Sequence, residues 1–374
     1  MKNAGVQAGL LVGTSETCPD IEYASGFRAV DPVVFLKSGG RQFLVVPVME
    51  QGRAMQGGKG TTVLTPETLK LKGARAGRVE DWCLGAVQQA GVRSVAVPPM
   101  FPLAAAEHLR RAGIRVRISR EALFPERAVK RPEEVQRIKD SQQAAVIAMR
   151  AAVARIGSAE VDSRGYLRVR GTLLTSEEMH LFIARILLDH NCAGKGIIVA
   201  GGRQGADPHS VGEGPLRAHE AIVIDIFPQH LGHGYWGDLT RTVVRGRPSR
   251  ELRKMYQAVK RAQEEALRAV KAGVKGSTVH RRVVAEFERR GYATREENGR
   301  QVGFIHGTGH GVGLAIHEAP GVGLRDVRLR SGNVITVEPG LYYPDVGGVR
   351  IEDTVVVTPA GWRYLVPCEK RFEV

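Results

Sequence analysis

The segment His306-Gly-Thr-Gly-His-Gly-Val-Gly-Leu-Ala-Ile-His317 holds three of the eleven histidines of the chain. Its alternating glycines exclude a continuous helix. His306 and His310 have the spacing of a helical zinc site, but the glutamate of the HExxH motif is absent. The segment also lacks the GxGxxG pattern of a dinucleotide-binding loop, and the chain has no GxSxG motif of a serine hydrolase. The chemistry of these imidazoles therefore depends on residues elsewhere in the chain.

Two strand-turn-strand units flank this segment, and each carries two acidic residues. Asp225 and Asp238 lie in the first unit, residues 222–244, and Glu338 and Glu352 lie in the second, residues 334–357. A buried carboxylate with no partner costs several kcal/mol, so it must be paired, protonated or bound to a metal. A salt bridge would explain one such acid. Four of them in two similar units indicate a set of metal ligands.

Four carboxylates with one or more imidazoles are the ligand set of a site for two divalent cations. Oxygen-rich ligation with one nitrogen favours Mn, Co, Fe or Zn over Cu. Two such ions ~3.5–4 Å apart share a water molecule, lower its pKa and polarise a carbonyl group. The pattern therefore predicts a metal-dependent hydrolase.

The rest of the chain predicts two domains, as its length of 374 residues suggests. Residues 1–125 alternate strand and helix patterns, with a hairpin over 33–47, a helix over 79–90 and a strand over 94–97. Pro132, Glu133 and Glu134 suit the first turn of a long helix that opens a second domain, residues 132–374. In that domain we predict a capping box over 175–178, helices over 179–189, 249–271 and 277–290, and single strands over 221–227 and 349–357. Residues 157–174 have no regular pattern.

Composition excludes several classes of protein. No apolar run approaches the ~18–20 residues of a membrane-spanning helix, so we expect no membrane partner. The four cysteines form no CxxC pair, which argues against disulfides and structural zinc and favours a reducing cytoplasm. The net charge is +15, and basic residues cluster within 110–120 and 241–261. Because no nucleic-acid motif accompanies them, we do not expect nucleic-acid binding.

Five motifs follow one another in the second domain. They are Asp225, Gly-Asp-x-Thr-Arg at 237–241, His-Gly-x-Gly-His-Gly-x-Gly at 306–313, Val337-Glu-Pro-Gly340 and Arg350-Ile-Glu-Asp353. In this order they resemble the pita-bread metallopeptidases, which include methionine aminopeptidase, aminopeptidase P, prolidase and creatinase. The resemblance covers residues 132–374 and implies an α+β catalytic domain with pseudo-two-fold symmetry. Residues 1–125 resemble the α/β N-terminal domain of the branch with aminopeptidase P, prolidase and creatinase.

The resemblance implies a role for each matching residue. It implies that Asp238 and Glu352 bridge two divalent cations. The first choice for these cations is Mn, with Co, Zn or Fe as alternatives. The turn between the two aspartates is longer than is usual in the family, with the extra length within 229–235. The implied ligands are Asp225, Asp238, His310, Glu338 and Glu352.

The remaining implied roles concern the substrate. Glu338 would also handle the proton of the attacking water. His317 and His209 would hold the substrate and the tetrahedral intermediate, and His306 would line the pocket. Arg350 would donate a hydrogen bond to a ligand carboxylate.

The implied activity is hydrolysis of the Xaa-Pro bond of a small peptide by a metal-bridging hydroxide, in a homodimer. A dipeptidase must bind the carboxylate of proline, and Arg325 or Arg328 could do so; the sequence leaves open whether the substrate extends beyond proline. Two alternatives are a creatinase-like hydrolase that works without metal and a non-catalytic binding module on the same fold. Both would be expected to have lost ligands, whereas all five positions are intact.

Overall fold

The structure is a computed structural model that describes residues 6–58, 60–297 and 299–374. The chain divides into two compact units, Met1–Arg127 and Ala128–Val374. Within the described residues, no helix combines the length and the apolar character needed to cross a membrane. The four cysteines are free thiols.

The first unit is an α/β domain built on one mixed sheet. In its described residues the strand order is β4-β3-β2-β1-β5-β6. The hairpin of β2 and β3, the helix α3 and the strand β5 confirm the predicted elements. The elements are β1 (Ala8–Gly13), α1 (Pro19–Ser25), β2 (Val33–Ser38), β3 (Arg41–Val45), α2 (Gln51–Gly57), β4 (Thr61–Leu64), α3 (Val79–Ala90), β5 (Ser94–Val97), α4 (Leu103–Arg111) and β6 (Arg115–Ile118).

The first half of the second unit places two helices against an antiparallel sheet. Strands β11, β12 and β14 pair in that order. Val146, Met149 and Ile183 from the helices pack with Ile222 and Ile224 of the sheet in one buried cluster. The elements are α5 (Pro132–Gly157), β7 (Glu160–Val161), β8 (Leu167–Val169), β9 (Thr172–Leu173), α6 (Ser176–Asp189), β10 (Cys192–Gly194), β11 (Ile198–Gly201), β12 (Ile222–Ile226), β13 (Pro228–His230) and β14 (Leu239–Val243).

The second half repeats this arrangement, as the predicted pseudo-symmetry requires. Helices α7 and α8 contribute Val259 and Val283 to a second buried cluster with Ile335, Val337 and Val355 of the sheet. The sheet order is β18-β17-β19-β22-β23. The elements are α7 (Arg250–Ala269), α8 (Gly276–Arg289), β15 (Arg295–Glu297), β16 (Arg300–Val302), β17 (Gly309–Gly311), β18 (Glu318–Val322), β19 (Val334–Val337), β20 (Gly340–Tyr343), β21 (Gly347–Arg350), β22 (Asp353–Val357) and β23 (Trp362–Tyr364).

Three local predictions differ from the structure. Residues 157–174 are not irregular but contain the three-stranded sheet of β7, β8 and β9. Thr175 Oγ1 accepts the amide hydrogen of Glu178 at 3.2 Å, as in a capping box, but the Glu178 carboxylate binds Arg155 of α5. The strand predicted over 349–357 is interrupted at Glu352, because the amide of Glu352 leaves its own sheet and donates to Thr240 O of β14 at 3.1 Å.

Candidate metal centre

The first pair of predicted ligands is fixed by the register of β12 and β14. Asp225 is paired with Thr240, and Asp238 immediately precedes β14. The extra residues of the turn lie beyond a bridge between Gln229 and Trp236, so they leave this register unchanged. Gln142 of α5 holds the backbone of Asp238 through two hydrogen bonds. Its side-chain oxygen accepts the Asp238 amide hydrogen at 2.8 Å, and its side-chain nitrogen donates to the Asp238 carbonyl at 2.9 Å.

The second pair lies at the corresponding ends of β19 and β22. Glu338 follows β19 and Glu352 precedes β22. Two threonines join the pairs across the halves. Thr240 Oγ1 donates to Glu352 Oε2 at 2.7 Å, and Thr354 Oγ1 donates to the Asp238 carbonyl at 2.8 Å. Each half therefore fixes a predicted ligand of the other.

His310 enters the site on β17, between the two pairs. Its Nε2 lies 3.2 Å from Glu338 Oε1 and 3.6 Å from Asp238 Oδ2. The flanking glycines make this close approach possible. A Cβ on Gly309 would lie 2.0 Å from Thr336 O, and one on Gly311 would lie 2.4 Å from Ala319 O.

Arg350 and Tyr342 form a buried bridge between Asp225 and His306. Arg350 Nη2 lies 2.7 Å from Asp225 Oδ2, the carboxylate contact that the resemblance implied. Arg350 Nη1 donates to Tyr342 Oη at 3.0 Å, and Tyr342 Oη lies 2.8 Å from His306 Nε2. Sequence reasoning missed Tyr342 and Thr240, because both act through contacts between residues far apart in the chain.

One cavity of about 500 Å³ collects the predicted site residues. The rings of His310 and His317 are 4.3 Å apart and nearly perpendicular. His209 is exposed, beside Pro208, whose carbonyl accepts a 3.4 Å hydrogen bond from Arg350 Nη1. All predicted residues line this cavity: His209, Asp225, Asp238, His306, His310, His317, Glu338, Arg350 and Glu352.

Burial and neighbouring charges shift the pKa values of the carboxyl groups in the site. Burial, followed by the charges of neighbouring carboxylates, raises the pKa of Asp238 and of Glu352 well above the ordinary value. Burial also raises the pKa of Glu338, but a hydrogen bond from His310 and nearby positive charges outweigh it and lower the pKa to about 2. Without added positive charge, Asp238 and Glu352 therefore retain their protons to higher pH than ordinary carboxyl groups do.

The imidazoles divide into two types. Burial lowers the pKa of His306 and of His317, so both rings favour the neutral form. Burial acts on His310 in the same direction, but its hydrogen bond to Glu338 and the charge of that carboxylate reverse the effect and raise its pKa.

The arrangement fits divalent cations. Asp225 Oδ1 and Glu352 Oε1 are buried and have no hydrogen-bond partner among the described residues. Asp238, His310 and Glu352 each offer one ligand atom within 4.8 Å of the others. Unsatisfied buried carboxylate oxygens are costly, and a cation between them removes both the desolvation penalty and the mutual repulsion.

Comparison with known proteins agrees with this chemistry. A model of metallopeptidase family M24 matches residues 136–359. The chain belongs to metallopeptidase family M24. This M24 chain is 39% identical over 178 residues to the Xaa-Pro dipeptidase of Pyrococcus furiosus and 38% identical over 170 residues to the probable dipeptidase PepE of Mycobacterium tuberculosis. The matches span 46% and 44% of this chain and about half the length of these curated relatives, 47% and 42%.

Solved structures extend the similarity to both units. The Xaa-Pro dipeptidase from Bacillus anthracis aligns with a TM-score of 0.83 at 25% identity and covers 99% of this chain and 96% of its own. The X-Pro aminopeptidase from Thermotoga maritima aligns with a TM-score of 0.78 at 25% identity, with 99% and 98% coverage. The pita-bread catalytic fold of the M24 enzymes is therefore shown for this chain.

Proposed function

We propose that this M24 chain is a metal-dependent exopeptidase that hydrolyses the bond between an N-terminal residue and proline. The observation that carries the proposal is one cavity lined by four carboxylates and His310, in which Asp225 and Glu352 each have a buried oxygen without a hydrogen-bond partner among the described residues. The names of two similar proteins, an Xaa-Pro dipeptidase and an X-Pro aminopeptidase, support the choice of the Xaa-Pro bond.

In this proposal two divalent cations occupy the centre. Asp225, Asp238, His310, Glu338 and Glu352 would hold them, with Asp238 and Glu352 in the shared role that the resemblance implies. Carboxylate-rich ligation favours Mn, with Co, Zn and Fe as alternatives. The bound ions would lower the pKa of a water molecule and polarise the scissile carbonyl.

The protein side chains supply positioning and proton transfer. Glu338, ionised because of its low pKa, accepts the proton of the attacking water and passes it to the leaving proline nitrogen. His317 and His209 bind the substrate carbonyl from the rim of the cavity. Arg350 holds the Asp225 carboxylate in its ligand orientation, and Tyr342 fixes His306. The proline nitrogen carries no hydrogen in the peptide, so selection for proline depends on the shape of the pocket.

Two other functions were open from the sequence. A creatinase-like hydrolase and a non-catalytic binding module both leave the acidic cluster without a purpose, whereas the described geometry keeps all five ligand positions. The homodimer, the cytoplasmic location and the absence of nucleic-acid binding remain predictions.

The test is proline release from an Xaa-Pro dipeptide by metal-stripped protein, with and without added Mn²⁺. An Xaa-Pro-Xaa tripeptide is assayed in parallel by release of its first residue. We expect activity only with metal. Two bound ions without cleavage of either peptide would refute the Xaa-Pro assignment, and a failure to bind metal would refute the ligand assignment and favour a binding module.

A further inference from the structure

Two of the five motifs end in a charged residue that does not line the cavity of the metal centre. Arg241 ends the Gly-Asp-x-Thr-Arg motif, and Asp353 ends the Arg-Ile-Glu-Asp motif. The two side chains form an ion pair, with Arg241 Nη2 2.7 Å from Asp353 Oδ1, and each is only 1% exposed. Because burying two charges is costly unless further hydrogen bonds satisfy them, the other partners of this pair indicate what it holds in place.

Arg241 uses all of its N–H groups within the chain. A guanidinium has five such donors. One donates to the Asp353 carboxylate, and the other four donate to backbone carbonyls. These carbonyls are Thr240 O at 2.8 Å, Glu352 O, Cys368 O at 2.8 Å and Glu369 O at 2.9 Å. One planar group therefore joins the peptide of a proposed metal ligand to the C-terminal segment, residues 366–374.

The contact with Glu352 falls where the backbone is not fixed by its own sheet. The strand pairing stops between β21 and β22, and the Glu352 amide donates to Thr240 O at 3.1 Å. Arg241 Nη1 donates both to this same Thr240 oxygen and to the Glu352 carbonyl. The guanidinium thus replaces the missing ladder on both sides of the residue, and it sets the direction in which the Glu352 side chain leaves the backbone.

Asp353 receives a further contact from the C-terminal segment. Its Oδ2 lies 2.8 Å from Lys370 Nζ and accepts a 3.2 Å hydrogen bond from the buried Gln263 of α7. The Gln263 side chain also donates to the carbonyl of Ile351, immediately before Glu352, at 3.1 Å. The backbone on both sides of Glu352 is therefore held by one buried polar network, and Lys370 belongs to it.

Arg245 binds the same C-terminal segment at a distance from the network. Its Nη1 donates to Val374 O at 3.4 Å, and its Nε donates to Ala159 O at 2.9 Å. Its hydrogen-bond partners within the described residues do not include a predicted metal ligand. Two arginines from one stretch of chain therefore hold the segment, and only Arg241 also holds Glu352.

We propose that Arg241 is a positioning residue for Glu352, and that the C-terminal segment is part of the metal centre through it. The inference rests on the proposed function, in which Glu352 is a ligand of both ions. Arg241 acts through the Glu352 backbone and through Asp353, and it contacts neither the ions nor the substrate.

The experiment compares Arg241→Lys with Arg245→Lys. Lysine keeps the positive charge but cannot reproduce five N–H donors in one plane. Because both arginines bind the C-terminal segment, Arg245→Lys is the matched control for an effect of loosening that segment. Calorimetry on chelator-treated protein gives Kd for Mn²⁺, and urea denaturation without metal gives the stability of each chain. Neither measurement requires a peptide.

We expect Arg241→Lys to raise Kd for Mn²⁺ by roughly 10- to 100-fold, the usual effect of losing a group that orients a metal ligand. Arg245→Lys should change Kd by less than about threefold, even where it lowers the stability of the metal-free chain as much. An unchanged Kd in Arg241→Lys, or an equal rise in both variants, would overturn the positioning role.

Lys370→Met tests the C-terminal segment while Arg241 stays in place, and it decides the proposal if Arg241→Lys does not fold. It removes one contact to Asp353 and should raise Kd for Mn²⁺ by roughly three- to tenfold. An unchanged Kd would refute the role of the segment. A parent chain that binds Mn²⁺ but cleaves no Xaa-Pro peptide would refute the peptidase function alone, because the Kd values would still decide the role of Arg241. A parent chain that binds no Mn²⁺ would overturn both.

Discussion

In the first half of the second unit, the proposed ligand Asp225 forms an ion pair with Arg350, which comes from the second half. In the second half, the proposed ligand Glu338 is paired with His310 of the same half. The second half thus contains part of its own charge compensation, whereas the first half depends on its counterpart. The centre therefore requires both halves, although the two are built on the same plan.

The largest expected effect comes from removing one acidic residue of either half, Asp238 or Glu352. Asp238→Asn and Glu352→Gln should each lower kcat/KM at least ~1,000-fold, because each replaces a carboxylate that we propose to bind both ions. Metal analysis should show loss of at least one ion per chain. Asp345→Asn, at an exposed acid, is the control. Full activity in either ligand variant would contradict the shared role of the two halves.

The loop between His310 and His317 shows a second contrast. On the side of the first half it is held by neutral bonds, because the Trp236 amide donates to Gly313 O at 2.9 Å and the indole donates to Leu314 O at 3.2 Å. At the end of this loop, Glu318, the neighbour of His317, forms an ion pair with Lys130 at 2.7 Å, and the Lys130 side chain is only 1% exposed.

Breaking the charged anchor should affect stability strongly. Lys130→Met leaves Glu318 buried without its counter-charge and should lower the free energy of unfolding by ~3–5 kcal/mol, measured by urea denaturation. The double variant Lys130→Met/Glu318→Leu should recover much of that loss, because neither charge is then buried. A double variant less stable than the single one would show that the pair does not act through charge burial.

The sequence indicated the acidic residues and histidines of the candidate site, but not the residues that hold those side chains in position. Asp225, Asp238, Glu338 and Glu352 are visible because each lies on or beside an apolar strand pattern, where a charge is costly. Tyr342 has no such signal. Its contacts are to Arg350, which is on the neighbouring strand, and to His306, and no local pattern of residues encodes them.

Local errors in the predicted fold arise where a long-range contact overrides a local preference. The capping box at Thr175 is half formed because Arg155, on another helix, binds the Glu178 carboxylate. The apolar run over 349–357 reads as one strand, yet its backbone turns aside at Glu352 to reach Thr240 of the other half. The predicted bounds of α3 agree with the structure, because the hydrophobic period that defines this helix depends only on neighbouring residues.

The two threonines provide a sharper test of how the halves support each other. Thr240 Oγ1 donates to the Glu352 carboxylate itself, whereas Thr354 Oγ1 donates to the backbone carbonyl of Asp238. Thr240→Val should weaken Mn²⁺ affinity by roughly 10- to 100-fold, the usual effect of removing a hydrogen bond that orients a ligand. Thr354→Val, the matched control, should change it by less than about threefold. Equal effects would mean that the threonines only support the sheet.

The smallest expected effect is on the pH dependence of stability. The raised pKa values of Asp238 and Glu352 mean that the metal-free folded protein keeps protons that the unfolded chain loses above the ordinary values of 3.8 and 4.5. The pKa of His310 is also raised, so the folded protein keeps this proton above pH 6.5, where the unfolded chain loses it. These three groups therefore stabilise the folded protein at low pH, and their contribution to the free energy of unfolding is lost as pH rises. Glu338 has a lowered pKa, so its contribution is lost only as pH falls towards about 2.

Cations reverse this trend, because they bind the deprotonated ligands. Denaturation of chelator-treated protein should give a lower free energy of unfolding at pH 8 than at pH 6, and the stabilisation by Mn²⁺ should be larger at pH 8. In Asp238→Asn the decline between these pH values should be smaller, because one of the carboxyl groups that retain a proton is absent. A decline of the same size in that variant would assign the pH dependence to groups outside the centre. Comparing the parent chain with Asp238→Asn therefore separates the pH dependence that comes from the acidic cluster shared by the two halves from the pH dependence that comes from the remaining charges of the chain.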